Sequence, residues 1–186
     1  MPRIVAGLCK GIPLLAPEGL ETRPTADRVK EALFSILQTR ILDASFLDLF
    51  SGSGQIGLEA VSRGAKKAVL IESSEKSQEI IRKNIEKTKL SQNVLLLGSD
   101  VFRGLKELGK KKEVFDIIYM DPPYDDVRRH LEKAARIIKE NGLLKPDGIL
   151  IAEHRAEDTL DQNVINLTLY RSCKYGTTMI TFYTTE

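Results

Sequence analysis

The sequence predicts an α/β fold of five strand–helix units closed by an antiparallel hairpin. Three observations carry the prediction. Apolar strand-like runs alternate with segments of helical period along most of the chain. One strand, Ser45-Phe46-Leu47-Asp48-Leu49-Phe50, runs into a glycine-rich turn, Ser51-Gly52-Ser53-Gly54-Gln55-Ile56-Gly57, that opens a helix. The apolar run Ile117 to Met120 reads as a buried strand and ends in Asp121-Pro122-Pro123-Tyr124. Two prolines stop both ladder and helix, because neither has an N–H and each fixes φ. They also push Asp121 toward an extended conformation. The result is a stiff lip past a strand's carboxyl end, where ligands bind in open α/β sheets. It carries one acceptor, Asp121, and one flat face, Tyr124.

The elements follow in order. Residues 3–6 and 12–15 are short apolar stretches around Lys10-Gly11 and read as a small β-hairpin or extended arm. Residues 1–22 are too few for a core of their own, so they form an appendage to a domain over residues 23–186. Thr25 is a candidate N-cap, and Val29, Ala32, Leu33, Ile36 and Leu37 recur at helical spacing through Leu42. Arg23 and Arg28 stand at this helix start, where positive charge opposes the macrodipole; that favours a ligand-facing role over plain surface charge. After the glycine turn come a helix ended by Gly64 and the strand Ala68 to Ile71, with Glu72 at its end, 20 residues after Gly52. This is the geometry of a nucleoside-containing ligand, with the carboxylate accepting from two ribose hydroxyls. A turn made only for packing is the competing reading. Asp48 inside its strand suits a ligand bearing positive charge better than a pyrophosphate.

Residues 73–87 read as a helix and Val94 to Leu97 as a third strand, followed by Asp100. Asp100 either meets an adenine amino group or caps the next helix, Val101 to Leu108. Asp125 and Asp126 can cap a helix bearing Leu131, Ala134, Ile137 and Ile138. Pro146-Asp147-Gly148 reads as a turn and Ile149 to Ala152 as the fifth strand. Residues 164–171 and 177–184 alternate as strands around Tyr175-Gly176.

Composition narrows the function classes. At 186 residues the chain fits one domain with a small appendage. No apolar run approaches a membrane span, and the N-terminus lacks the apolar stretch of a signal peptide, so the expected location is the cytoplasm. Two distant cysteines, Cys9 and Cys173, and two histidines, His130 and His154, favour free thiols and no metal site. A net charge of +2 permits a nucleic-acid partner without arguing for one.

Taken together, Asp48-Leu-Phe-Ser-Gly-Ser-Gly, Glu72, Asp100 and Asp121-Pro-Pro-Tyr resemble a class I S-adenosylmethionine-dependent methyltransferase of the amino-methylating branch. Arg3-Ile-Val-Ala-Gly and Thr22-Arg-Pro-Thr-Ala-Asp-Arg-Val-Lys-Glu-Ala-Leu-Phe narrow the resemblance to the bacterial 16S rRNA (guanine(966)-N(2))-methyltransferase family, along essentially the whole chain. The resemblance implies a Rossmann-like fold: a seven-stranded mixed sheet with an antiparallel last strand, helices on both faces and an N-terminal β-hairpin. It implies S-adenosyl-L-methionine as cofactor, held by Asp48, Phe50, Ser51, Gly52, Gly54, Glu72, Ser73, Asp100, Val101 and Asp121. It places Asp121, Pro122, Pro123 and Tyr124 in catalysis. A flipped guanine would offer its exocyclic N2 to Asp121 and the Pro122 carbonyl, stacked on Tyr124. Arg3, Lys10, Arg23, Thr25 and Arg28 are the implied contacts to 16S rRNA or a 30S assembly particle, with no metal, no membrane and a monomeric protein expected.

Three other readings compete. N6-adenine methylation of DNA or RNA suits the lip equally well, and analysis of the product nucleoside separates it. A nicotinamide-dinucleotide oxidoreductase would use the glycine turn but leaves the lip unexplained. A non-catalytic RNA-binding or ribosome-assembly module predicts that Asp121→Ala leaves function intact.

Overall fold

A computed structural model describes residues 2–17, 24–123 and 127–185. Its elements are α1 (Pro24–Ile36), β1 (Ser45–Leu49), α2 (Gln55–Ser62), β2 (Lys67–Glu72), α3 (Glu75–Thr88), β3 (Val94–Gly98), α4 (Val101–Lys110), β4 (Phe115–Met120), α5 (Val127–Glu140), β5 (Leu144–Arg155), β6 (Asn163–Val164), β7 (Leu167–Tyr175) and β8 (Thr178–Thr185). They form one eight-stranded sheet in the order β3-β2-β1-β4-β5-β8-β7-β6. β1 to β5 pair in parallel; β8 enters antiparallel between β5 and β7. The parallel strands are apolar on both faces because both faces are covered. Phe46, Leu70, Tyr119, Ile151 and Phe182 face a core with α1, α2, α3 and the N-terminal arm. Leu47, Val69, Ile118, Leu150 and Tyr183 face a second core with α4 and α5.

The fold class stands, with one strand more than the seven expected. The stretch read as a single strand over residues 164–171 reverses direction: β6 and β7 pair through Val164 and Leu167. Ile165 turns the chain with φ 62, a conformation rare for a β-branched residue, so the sequence carries little signal for it. The hairpin at Tyr175-Gly176 forms as expected, with Gly176 at φ 64. β5 starts earlier than expected, at Leu144, and passes Pro146-Asp147-Gly148 with a register shift against β4 between Phe115 and Ile117. α1 begins at Pro24, so Thr25 lies in its first turn rather than at its cap, and it ends at Ile36 in place of Leu42. Proline is favoured in a first turn because its missing N–H would be unpaired there anyway. The expected caps Asp125 and Asp126 lie outside the described residues.

The N-terminal arm is a short, irregular hairpin: Ile4 N donates to Ile12 O, Gly11 N to Ile4 O and Leu14 N to Pro2 O, around one bridge between Arg3 and Pro13. Side chains of α1, α2 and α3 anchor it to the domain. Buried Glu59 accepts from Val5 N at 2.8 Å and Ala6 N at 3.0 Å. Ser62 Oγ accepts from Cys9 N and donates to Ala6 O. Asn84 Oδ1 accepts from Leu15 N at 2.8 Å, while its Nδ2 donates to both Leu15 O and Ser53 O. Lys30, almost wholly buried, lies 3.7 Å from Glu59 and donates to Arg3 O at 2.5 Å. Gly7 is required where the arm crosses α2: a Cβ there would sit 1.8 Å from Ser62 O.

Candidate active site

The parallel strands end in a row of carboxylates. Because side chains alternate along a strand, Glu72, Asp48, Tyr119 and Ile151 share one sheet face with the α1–α3 core. Carrying that alternation past β4 and along β5 brings Asp121 and Glu153 onto the same face. From β3 to β5 the rim therefore reads Asp100, Glu72, Asp48, Asp121, Glu153, one acidic group per strand.

The glycine turn and its carboxylates are tied together through the backbone. Glu72 Oε2 accepts from Gly52 N and Oε1 from Ser74 N, both at 2.8 Å. Each oxygen keeps a further lone pair, so two hydroxyls can still be received. Asp48 is 2% exposed and Oδ2 accepts from Gly57 N at 3.0 Å. Burial, with Glu72 adding to it against the Gly57 N–H, pushes the Asp48 carboxyl up to about 7. Ser51 Oγ donates to Asp48 O at 2.8 Å and Ser51 N to Ile71 O, which pins the start of the turn. Phe50 adopts φ 62, a strained conformation for a non-glycine residue and one that clusters at functional sites. Its ring meets His130 edge-on at 5.5 Å, and Phe102 stacks on that imidazole at 5.8 Å. Gly52, at φ 57, faces open space where a Cβ would be.

Asp100 is an N-cap: its Oδ1 accepts from Phe102 N and Arg103 N. Capping does not exhaust it, since Oδ2 makes no hydrogen bond among the described residues. Val101 is buried behind it and Ser73 is exposed beside Glu72. Ser99 Oγ, between β3 and Asp100, is buried without a partner among the described residues. An open glycine turn, spare lone pairs on Glu72 and an orphaned hydroxyl fit a nucleoside-bearing cofactor, and a buried carboxylate at Asp48 fits one with a cationic end.

On the other side, Asp121 leaves β4 exposed, Pro122 is buried and Pro123 is exposed. Tyr124 and Arg23 lie outside the described residues. Crowding of the Asp121 carboxyl by protein atoms, then the charges of Glu153 and Asp48, push its pKa well above the carboxylate range. Tyr119, buried in β4, donates its hydroxyl to Glu153 Oε2. Burial raises the Glu153 carboxyl, with the Tyr119 hydrogen bond opposing it. Glu153 also lines a cleft of about 570 Å³ between the end of β5 and the β7–β8 turn. The sequence reading stopped the fifth strand at Ala152, one residue short of Glu153. The signal was the one already used at Glu72: an acid closing an apolar strand.

The basic residues are spread out. Arg3 pairs with Asp27 at 3.5 Å in the first turn of α1, and Arg28 is exposed beside it. Lys10 is exposed in the arm's turn, whose neighbours Leu8 and Cys9 bond Ser62 and Thr88 at the C-terminal ends of α2 and α3. That is a helix length, about 12 Å, from the glycine turn. Among the described residues no cluster of acidic, cysteine and histidine side chains could hold a metal ion. No helix there is long and apolar enough to cross a membrane.

The chain is similar to several known proteins. Ribosomal RNA small subunit methyltransferase D of Escherichia coli (strain K12) is 34% identical over 184 residues, covering 99% of this chain and 90% of its own. The protein of that name from Haemophilus influenzae is 36% identical over 161 residues, covering 85% and 81%. Among solved structures, yhhF of Escherichia coli matches with a TM-score of 0.86 and 34% identity over 100% of this chain and 98% of its own. An RNA methyltransferase from Salinibacter ruber, in complex with S-adenosyl-L-homocysteine, shares the fold at a TM-score of 0.66 and 17% identity, covering 87% and 92%. A family model described as Conserved hypothetical protein 95 matches residues 2–184. The chain belongs to that family and is a homologue of the ribosomal RNA small subunit methyltransferase D proteins.

Proposed function

We propose that this protein transfers a methyl group from S-adenosyl-L-methionine to the exocyclic N2 of a guanine in 16S ribosomal RNA. The observation that carries the reading is the Asp121-Pro122-Pro123 lip standing one strand from the Asp48–Gly54 cradle on one rim. The names of the relatives support the substrate. Glu72 would take the ribose hydroxyls, Asp48 the amino end and Asp100 the adenine amine. The bound cofactor supplies an electrophilic methyl group on a sulfonium.

The chain's own part is positioning. A nucleobase amine is a poor nucleophile because its lone pair is delocalised into the ring. Asp121 and the Pro122 carbonyl each accept one amine N–H, which favours rehybridisation and aims the lone pair. The prolines hold both acceptors still. The rising positive charge on nitrogen favours the ionised form of Asp121, and the departing proton has carboxylate and solvent within reach. Arg3, Lys10, Arg23, Thr25 and Arg28 we read as contacts to the RNA, and residues 1–22 as the RNA-facing appendage.

The test is transfer of label from S-adenosylmethionine to 16S rRNA, or to 30S particles from cells lacking the protein, followed by nucleoside analysis. N2-methylguanosine is expected. Label on N6 of adenine, or none on either substrate, rejects the reading.

A further inference from the structure

The rim holds one carboxylate more than the cofactor and the amine require. We infer that Glu153 reads the N1–H of the guanine whose N2 faces Asp121, and so sets the choice of base. The inference rests on the proposed guanine N2 chemistry and deepens it.

Register places the group. β4 and β5 pair in parallel with Tyr119 beside Ile151 and Met120 beside Ala152. One step further along stand Asp121, just past the end of β4, and Glu153, still in β5; neighbouring strands run about 4.8 Å apart. On guanine the N2 amine and N1–H are adjacent donors on one edge. Two carboxylates side by side match that edge. Adenine presents a lone pair at N1, which a carboxylate would repel. Glu153 is also held for the task. Tyr119, 2% exposed, donates its hydroxyl to Oε2. That leaves Oε1 without a hydrogen bond among the described residues, on a side chain that lines the cleft between the end of β5 and the β7–β8 turn. A purely structural Glu153 would need no opening to the cleft.

The test uses whichever RNA or particle takes label in the assay above, rebuilt with 2-aminopurine at the modified position. That base keeps the 2-amino group but has no N1 proton. The wild-type protein should favour guanine by roughly 10–100-fold, the discrimination one paired contact gives. Glu153→Gln, whose amide can donate to N1, should bring that ratio toward one while S-adenosylhomocysteine binds as in the wild type. Equal use of the two bases by the wild type overturns the inference. So does a Glu153→Gln variant that slows both substrates alike, the result a merely structural role would give. If Glu153→Gln fails to fold, Tyr119→Phe is read in its place; it removes only the hydroxyl that orients Glu153 and should narrow the ratio, and an unchanged ratio overturns the inference. Failure of the wild type to methylate guanine at all rejects the proposed function instead, so the two failures are distinct.

Discussion

The two sides of the rim are built by opposite means. On the glycine-turn side, backbone N–H groups fix every carboxylate: Gly52 and Ser74 hold Glu72, Gly57 holds Asp48, and Phe102 and Arg103 hold Asp100. On the lip side no backbone N–H among the described residues reaches Asp121 or Glu153. One tyrosine hydroxyl and two prolines do the holding, against mutual repulsion of like charges. The difference teaches where each kind of precision comes from. A small cofactor that never varies can be met by main chain. A reacting base must be told from three others, and that takes side chains.

The contrast can be broken most severely at the lip. Asp121→Ala should cut methyl transfer on the order of 10³-fold, with cofactor affinity near normal. Because it removes one of several crowded like charges, its thermal midpoint should stay level or rise slightly. Parallel turnover and melting measurements check both, and near-normal turnover would remove the lip from the mechanism.

Asp48 tests the buried middle of the rim. It keeps its proton to about 7 when folded and only to about 4 when unfolded. Between those values the folded state binds the extra proton, so stability falls as pH rises and levels off above pH 7. The loss from this group is at most about 4 kcal/mol. Asp48→Asn still accepts from Gly57 and lacks this decline. Its stability relative to wild type in urea should be higher at pH 7.5 than at pH 5; a constant difference would show that Asp48 does not titrate in this range.

Glu72→Ala strips Gly52 N and Ser74 N of their acceptor and should weaken S-adenosylhomocysteine binding by roughly 10–100-fold, as loss of charged hydrogen bonds implies. Calorimetry measures it, with loss of ligand affinity expected to exceed loss of stability. The smallest effect is expected at Gly52→Ala. Nothing obstructs a Cβ there, so the cost to stability is only the αL conformation, about 1 kcal/mol. Affinity should still fall by more than that if ligand approaches this backbone, and equal losses would argue that it does not.

Much of this was legible in the sequence, for physical reasons. Glu72 and Asp121 announce themselves because each ends an apolar run. Gly52 and Gly54 do so because both take positive φ. What escaped depended on partners distant in sequence. Asp100 was ambiguous because a cap and a ligand contact use different oxygens of one side chain, and it caps here while leaving the other oxygen open. Glu153 acquires meaning only when β5 lies beside β4. The Ile165 reversal has no glycine to mark it. The arm is legible as a hairpin because apolar stretches flank a glycine, and its two stretches do bond each other. Its anchoring partners Glu59, Ser62 and Asn84, more than fifty residues along, are not.

Those partners also order events in time. Ile4 and Leu14 are fully buried in the finished molecule, yet the arm has nothing to settle on when it leaves the ribosome. Glu59, Ser62, Asn84 and Thr88 follow only later, the last of them 79 residues after Cys9. At about 5–20 residues per second the nascent arm waits several seconds with two apolar side chains bare. The arm, made before the partners that hold it, is thus among the last segments to find its place.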